Sequence, residues 1–333
     1  MKICVTGVAG FLGSHLADNF IRAGHDVVGC DNMIGGDLEN LPEGTKFEQS
    51  DCCDVDAMKK LTDGVDIVYH CAAIATEGLS VFSPRLIAQH VYENTAGILA
   101  GAATNKVKRF VYCSSMARYG HGKPPFRETQ TPAPVDPYGI AKYAGELLVA
   151  NVCETHGIEY TIAVPHNIIG PRQKYDDAYR NVASIMINRM LQGKQPVIYG
   201  DGNQSRCFSF VQDCVDPLIK MGTLPEINGE TINIGPDEET VTINGLAGIL
   251  AELLSFKLDP IYVADRPREV REATCSADKA RQLLDYRTKV SLREGLQTMI
   301  DWIRDHGTKP FTYHLPIEID SPLVPKTWTS RLL

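Results

Sequence analysis

Apolar positions along the first half of the chain fall into two alternating periods. Lys2–Thr6 is a short apolar run with β-branched residues that meets Gly7. A helical spacing follows through Ala23 and is closed by Gly24, the residue type that most often ends a helix. The alternation then repeats. Short apolar runs at Asp26–Cys30, Asp66–His70, Arg109–Ser114 and Glu159–Val164 predict buried strands. Helical spacings at Val55–Leu61, Pro84–Thr104 and Pro137–Glu154 predict the helices between them. This order builds an α/β fold, and right-handed crossovers make it a doubly wound parallel sheet with helices on both faces.

The second half is less regular. Helices are expected at Tyr179–Gln192, Val211–Gly222, Asn244–Ser255, Ala277–Leu284 and Leu292–Asp305, with a short strand near Thr231–Ile234. Lys309–Leu333 carries four prolines and no helical period, so it is expected to run as an extended tail over the surface or to reach a partner subunit. Composition narrows the class. The 333 residues carry a formal net charge of −8, and such an acidic chain lacks the basic stripe that a nucleic-acid backbone needs. The 10 cysteines are scattered without a C-x-x-C pair, so no metal site is expected and reduced thiols in the cytoplasm are. No apolar stretch reaches the length of a membrane span, and the start lacks a signal-peptide pattern.

Three features carry chemistry. Gly7-Val8-Ala9-Gly10-Phe11-Leu12-Gly13 follows a strand and opens a helix. In that place the glycines allow a tight turn, a close approach by a diphosphate, and helix–sheet contact, while the helix N-terminus offers free N–H groups to the anion. Asp31 ends the second strand, beside Asn32, with no arginine next to it. A carboxylate there accepts hydrogen bonds from ribose hydroxyls and repels an extra phosphate, which favours NAD over NADP. Finally, Tyr138 and Lys142 lie four apart at a helix start, after a strand that ends in Ser114-Ser115. An ammonium near a phenol is expected to lower its pKa, letting the phenolate take a proton from a hydroxyl near neutral pH. Ser115 would hydrogen-bond the reacting oxygen.

Together with Asn94 and Tyr119-Gly120, this set resembles the extended short-chain dehydrogenase/reductase family, in its nucleotide-sugar epimerase and dehydratase branch of the UDP-glucose 4-epimerase type. The resemblance covers about residues 1–306. It implies a Rossmann-type NAD-binding domain over 1–166, rejoined by 204–228, and a smaller α/β substrate domain over 167–203 and 229–308, with the tail at 309–333. It also implies a homodimer paired through the helices at Pro84–Thr104 and Pro137–Glu154. Carried over by position, Ser115, Tyr138 and Lys142 match the catalytic triad. Asp51 and Cys52 match adenine-side contacts, and Ala72-Ala73 the loop after the fourth strand; Phe11, Leu12, Asn32 and Asn94, with Tyr138 and Lys142 again, complete the cofactor set. On the substrate side stand Met116, Asn167, Asn181 and Tyr199. Arg206 and Arg266 would hold the diphosphate, as planar guanidinium forks suit phosphate oxygens, and Glu269 a ribose hydroxyl.

The resemblance leaves several reactions open. Family dehydratases and decarboxylases carry a carboxylate just after the position of Ser115, where this chain has Met116 and Ala117. That departure favours 4-epimerisation of a UDP-hexose or UDP-N-acetylhexosamine, the latter because Ala273 is small. A dehydratase is the runner-up, and a non-catalytic NAD-binding protein a weaker third. Cys207 and Val164 also depart from the family pattern. Cys113, His121, His166 and Glu77 are candidate unusual acids or bases, with structural roles the better expectation for each.

Overall fold

A computed structural model describes all 333 residues. Its centre is a seven-stranded, all-parallel sheet. Six strands are β1 Lys2–Thr6, β2 Asp26–Asp31, β3 Lys46–Gln49, β4 Ile67–His70, β5 Arg109–Cys113 and β6 Glu159–Pro165; the seventh is Thr231–Ile234. The spatial order is Thr231–Ile234, β6, β5, β4, β1, β2, β3. The chain therefore reverses direction across the sheet between β1 and β4, and the ends of these strands face a crevice. Alternate residues feed two separate cores. Ile3, Val5, Tyr69 and Val111 pack on one face against Leu16 and Phe20 of helix α1 (Phe11–Arg22) and Leu218 of helix Val211–Thr223. Cys4, Val68, Phe110 and Tyr112 pack on the other. There they meet Met58 of α2 (Val55–Leu61), Ile98 of α5 (Asn94–Thr104) and Val149 of α6 (Pro137–His156).

Four expectations need correction. Strand β3 was not anticipated, because Lys46-Phe47-Glu48-Gln49 is a mostly exposed edge strand with one apolar side chain. Thr231–Ile234 pairs with β6, and Ile232 and Ile234 are fully buried in the first core, so this segment of 229–308 belongs to the main sheet. The expected helix at Pro84–Thr104 is broken by a π-helical stretch, Ala88–Glu93, which separates α4 (Pro84–Ile87) from α5. The helix expected from Tyr179 begins at Val182, because Asn181 takes a left-handed conformation (φ 69°).

The remaining second half forms a smaller α/β unit. Helices Val182–Leu191, Ile243–Leu254 and Leu292–His306 share a third core. Around it lie short ladders: Ile168–Ile169 with Ser209–Phe210, Val197–Tyr199 with Ile261–Val263, and Ser205–Cys207 between Thr240–Thr242 and Glu272–Ala273. The tail is not a loose cover. Leu315, Val324 and Trp328 are buried with Phe82, Leu86, Ile87, Tyr138 and Tyr179. The Trp328 indole N–H donates to the Ala178 carbonyl (3.0 Å), and the Glu318 carboxylate accepts from the Arg85 and Leu86 amides (both 2.9 Å), capping α4. No helix is long and apolar enough to cross a membrane.

Candidate active site

The crevice at the strand ends is a cavity of about 470 Å³ that runs from the glycine turn into the smaller unit. At one end, Gly7 holds φ 69°, and a Cβ placed on Gly13 would sit 2.1 Å from the Gly7 carbonyl oxygen. Only glycine permits that closeness of turn and helix. Gly10 precedes helix α1 and offers it no side-chain cap, leaving N–H groups of its first turn at the cavity, where Gly10, Phe11, Leu12 and Gly13 all contribute lining. Asp31 closes β2 at the rim. Its carboxylate accepts from the Met33 amide (2.9 Å) and the Ala9 amide (3.2 Å), and burial pushes its pKa up against those bonds. This cradle, bare of side chains and faced by free amides and one acid, fits the diphosphate and ribose of a dinucleotide.

Of the other expected cofactor residues, Asn32, Cys52, Ala72, Ala73 and Asn94 line the cavity and Asp51 does not. The Asp51 carboxylate instead accepts from the Asn32 side-chain amide (2.8 Å) and the Cys53 main chain (2.9 Å), so it acts on the cavity through Asn32. Asn94 is held by its donation to the His90 carbonyl (3.0 Å) at the end of the π-helical stretch.

Ser115 follows β5, and its hydroxyl accepts from the Ala117 amide (3.2 Å), capping a short 3-10 turn. Tyr138 is the second residue of α6, behind Pro137 and the capping carboxylate of Asp136, which accepts from the Gly139 amide (2.8 Å). A buried Arg118–Glu146 ion pair (3.1 Å) and a hydrogen bond from the Ser114 hydroxyl to Glu146 tie the exit of β5 to α6. These links bring Ser115, Tyr138 and Lys142 onto one cavity wall. One expectation fails there. The Lys142 ammonium donates to the Cys113 carbonyl (2.7 Å) and lies 6.0 Å from the Tyr138 ring centre. Burial, then the Glu77 charge, push the Tyr138 phenol up, not down, while the Ser115 hydroxyl works the other way. Burial also lowers Lys142 to about 8.

At the far end, Arg206 and Arg266 both pair with Glu269 (2.7 Å each), and the Arg266 guanidinium lies 4.8 Å from the Tyr199 ring centre. Glu269 is thus the shared counter-ion of the two arginines. Asn167 and Asn181 line the same stretch, both with positive φ (44° and 69°). The Asn167 side-chain amide donates to the Cys207 carbonyl (2.9 Å). Met116 lies outside the lining and meets the Asn167 amide through its sulfur (3.6 Å). Cys113 and Glu77 line the cavity, whereas His121 and His166 do not; His166 is buried against the Pro236 carbonyl (2.9 Å).

Sequence reasoning missed several lining residues. Arg180 and Arg268 sit beside recognised positions, Asn181 and Glu269, and basic residues at those junctions were a readable signal. His314, Leu315, Trp328 and Leu333 come from the tail, whose sequence has no period to place it. Arg180 pairs with Asp177 (3.0 Å) and reaches the backbone at Gly35, on the cofactor side.

A glycine turn under a helix N-terminus, an acid on the second strand, and a Ser–Tyr–Lys wall define a dinucleotide-dependent α/β enzyme of the short-chain dehydrogenase type. Residues 3–235 match the NAD dependent epimerase/dehydratase family, and the chain belongs to it. It is 32% identical to a putative UDP-glucose 4-epimerase of Methanocaldococcus jannaschii, over 92% of this chain and 99% of that one. The UDP-glucose 4-epimerase of Thermotoga maritima, solved with UDP-glucose, superposes with a TM-score of 0.87 at 32% identity, covering 92% and 99% of the two chains. The UDP-glucuronic acid 4-epimerase of Bacillus cereus, solved with its substrate and NAD, superposes with a TM-score of 0.86 at 30% identity, covering 92% and 100%.

Proposed function

We propose that the chain is an NAD-dependent 4-epimerase of a UDP-sugar, with residues 1–166 serving the cofactor and the second half the sugar nucleotide. The observation that carries this reading is the sharing of one cavity. The glycine turn, the Ser115–Tyr138 wall and Arg206 and Arg266 all line it. When bound, NAD supplies the hydride acceptor at the Tyr138 wall and a cationic ring that favours phenolate. Tyr138 takes the proton of the sugar 4-hydroxyl and later returns it, Ser115 holds the same oxygen, and Lys142 keeps a positive charge behind the wall. The arginines grip the diphosphate, leaving the sugar ring to turn between them and Tyr138. The absence of a carboxylate at Met116 and Ala117 speaks against the dehydratase alternative.

Incubation with UDP-glucose, UDP-N-acetylglucosamine and UDP-glucuronate, read by mass and NMR, tests the reading. The expected product is a C4 epimer of unchanged mass; a product lighter by one water would replace epimerase with dehydratase. A homodimer is part of the same proposal, supported by Ile140 and Leu147, 54% and 56% exposed and one heptad apart on α6. Leu147→Asp is expected to shift the sedimentation coefficient to that of a monomer. The 10 free thiols suit a reducing cytoplasm.

A further inference from the structure

Cys71 is the first residue after β4, on the loop that leads to the short helix α3 (Glu77–Ser80). Cys113 is the last residue of β5. The two strands are parallel neighbours with His70 opposite Tyr112, so the next residue of each stands beside the other. The two sulfurs are 3.6 Å apart, and both residues line the cavity. On one side of the pair is the glycine turn, where a Cβ on Gly7 would sit 3.3 Å from the Cys71 carbonyl carbon. On the other is the catalytic wall. The Cys113 carbonyl accepts from the Lys142 ammonium (2.7 Å), and Ser115 follows two residues on.

No other thiols are placed this way. The sulfurs of Cys30 and Cys52 also approach, at 3.7 Å, but Cys30 is fully buried and does not reach the cavity. The Cys53 thiol donates to the Asn94 side-chain oxygen (3.2 Å) and the Cys207 thiol to the Pro236 carbonyl (3.0 Å). Cys4, Cys153, Cys214 and Cys275 are buried in the two cores of the main sheet. Within the cavity pair the proton is shared unequally. The Cys71 thiol, donating to the Cys113 sulfur, holds Cys113 below the ordinary thiol value against burial, and the Lys142 ammonium adds to that. The same contact, then burial, push Cys71 up. Cys113 is thus the sulfur that attacks and Cys71 the one that resolves.

We propose that Cys71 and Cys113 are an oxidation site: small neutral two-electron oxidants, peroxides among them, close the pair into a disulfide that reversibly stops turnover. With hydrogen peroxide, the Cys113 thiolate takes one oxygen as the O–O bond breaks and hydroxide leaves. The Cys71 sulfur then attacks the sulfenic sulfur, the S–O bond breaks, and water carries off the Cys71 proton. The sulfurs lose two electrons, the peroxide gains them, and the hydroxide takes up the proton that Cys113 had released, so the products are one disulfide and two waters. Neighbouring strands lie about 4.8 Å apart, whereas a disulfide holds its Cβ atoms at about 3.8 Å, so about 1 Å of the closure falls on the main chain. It falls on the carbonyl that holds Lys142 and on the strand end that carries Ser115. A misplacement of that size at reacting groups costs about a hundredfold in rate.

Diamide, which joins neighbouring thiols as it becomes its hydrazine, tests the site on the protein as purified and on Cys71→Ser. Peptide masses, taken after free thiols are blocked, are followed beside UDP-sugar turnover. The parent is expected to yield a Cys71–Cys113 cross-linked peptide and to lose activity at least about tenfold as the cross-link accumulates, with dithiothreitol restoring both. Cys71→Ser should start near the parent's activity and keep it. A cross-link between other cysteines only, or none, overturns the site. Full activity in the fully cross-linked parent, or an equal loss in Cys71→Ser, overturns its control of turnover. That control rests on the UDP-sugar reading: a parent that turns over no UDP-sugar overturns the reading, and the peptide masses then decide the oxidation site by themselves.

Discussion

Tyr138 and Lys142 are one helical turn apart, yet the ammonium is spent on a main-chain carbonyl 2.7 Å away. Spacing along a helix fixes which side chains share a face; it does not fix which partner a long, flexible lysine selects. The phenol is buried, so its ionisation depends on charge delivered to its immediate surroundings. Replacing it removes proton transfer without touching the cofactor turn. Tyr138→Phe is expected to lower kcat by about 10²–10⁴, with NAD content unchanged by absorbance after denaturation. Glu77 gives a second, independent expectation. Its proton is held more tightly in the folded protein (about 7) than at the ordinary carboxyl value of 4.5. Between those values the folded chain keeps the proton and the unfolded chain loses it, so stability falls as pH rises through that window. The groups facing it, Asp136, Glu269, Arg206, Arg266 and Tyr138, do not reverse the direction. Glu77→Gln should therefore melt higher than wild type at pH 8, and the gap should close by pH 4.

At the scale of elements, the glycine turn shows how local geometry limits substitution. A methyl on Gly13 would be driven to 2.1 Å from the Gly7 carbonyl, against main chain that cannot rotate away. Gly13→Ala is expected to cost about 1–3 kcal/mol of stability and to release NAD, read as a lower melting temperature that added NAD no longer raises. That turn was legible because three glycines, a strand and a helix coincide in one short stretch. The helix α6 was legible for similar reasons, with Pro137 and Asp136 marking its start and Gly157 its end. Other elements left no comparable trace. β3 has one buried-side residue and stands at an edge, and the ladders of the second half are two or three residues long, shorter than a period-two pattern can establish. The π-helical break at Ala88–Glu93 keeps the apolar spacing of its neighbours, so a continuous helix and a broken one read alike.

Across the whole molecule, the cofactor end of the cavity and most substrate-side residues were readable, while the part of the wall built by Tyr179 and the tail was not, and the difference lies in sequence distance. The cofactor end is built mainly by adjacent loops of one sheet, each marked by its own strand. The sugar wall joins Tyr179 and the last residues of the chain, which only tertiary packing brings together. Trp328 is the fastener of that wall. It is 4% exposed, its indole donates to the Ala178 carbonyl, and its ring meets Tyr179 (5.4 Å) and Phe82 (6.2 Å) edge-on. Phe82 and Ser83 are themselves gripped by the tail, with the Ser83 hydroxyl donating to the Pro316 carbonyl (2.6 Å). The tail thus holds both the Glu77–Ile87 segment and the loop before Asn181. Neither contact reaches the glycine turn. Trp328→Ala would leave a cavity of aromatic size in that wall, a loss of about 3–5 kcal/mol for a buried tryptophan, borne where the tail docks. The expected result is a KM for the UDP-sugar raised at least about tenfold, with the dissociation constant of NAD unchanged. Equal weakening of both ligands would mean that the tail supports the whole fold, and an unchanged KM would mean that the sugar wall stands without it.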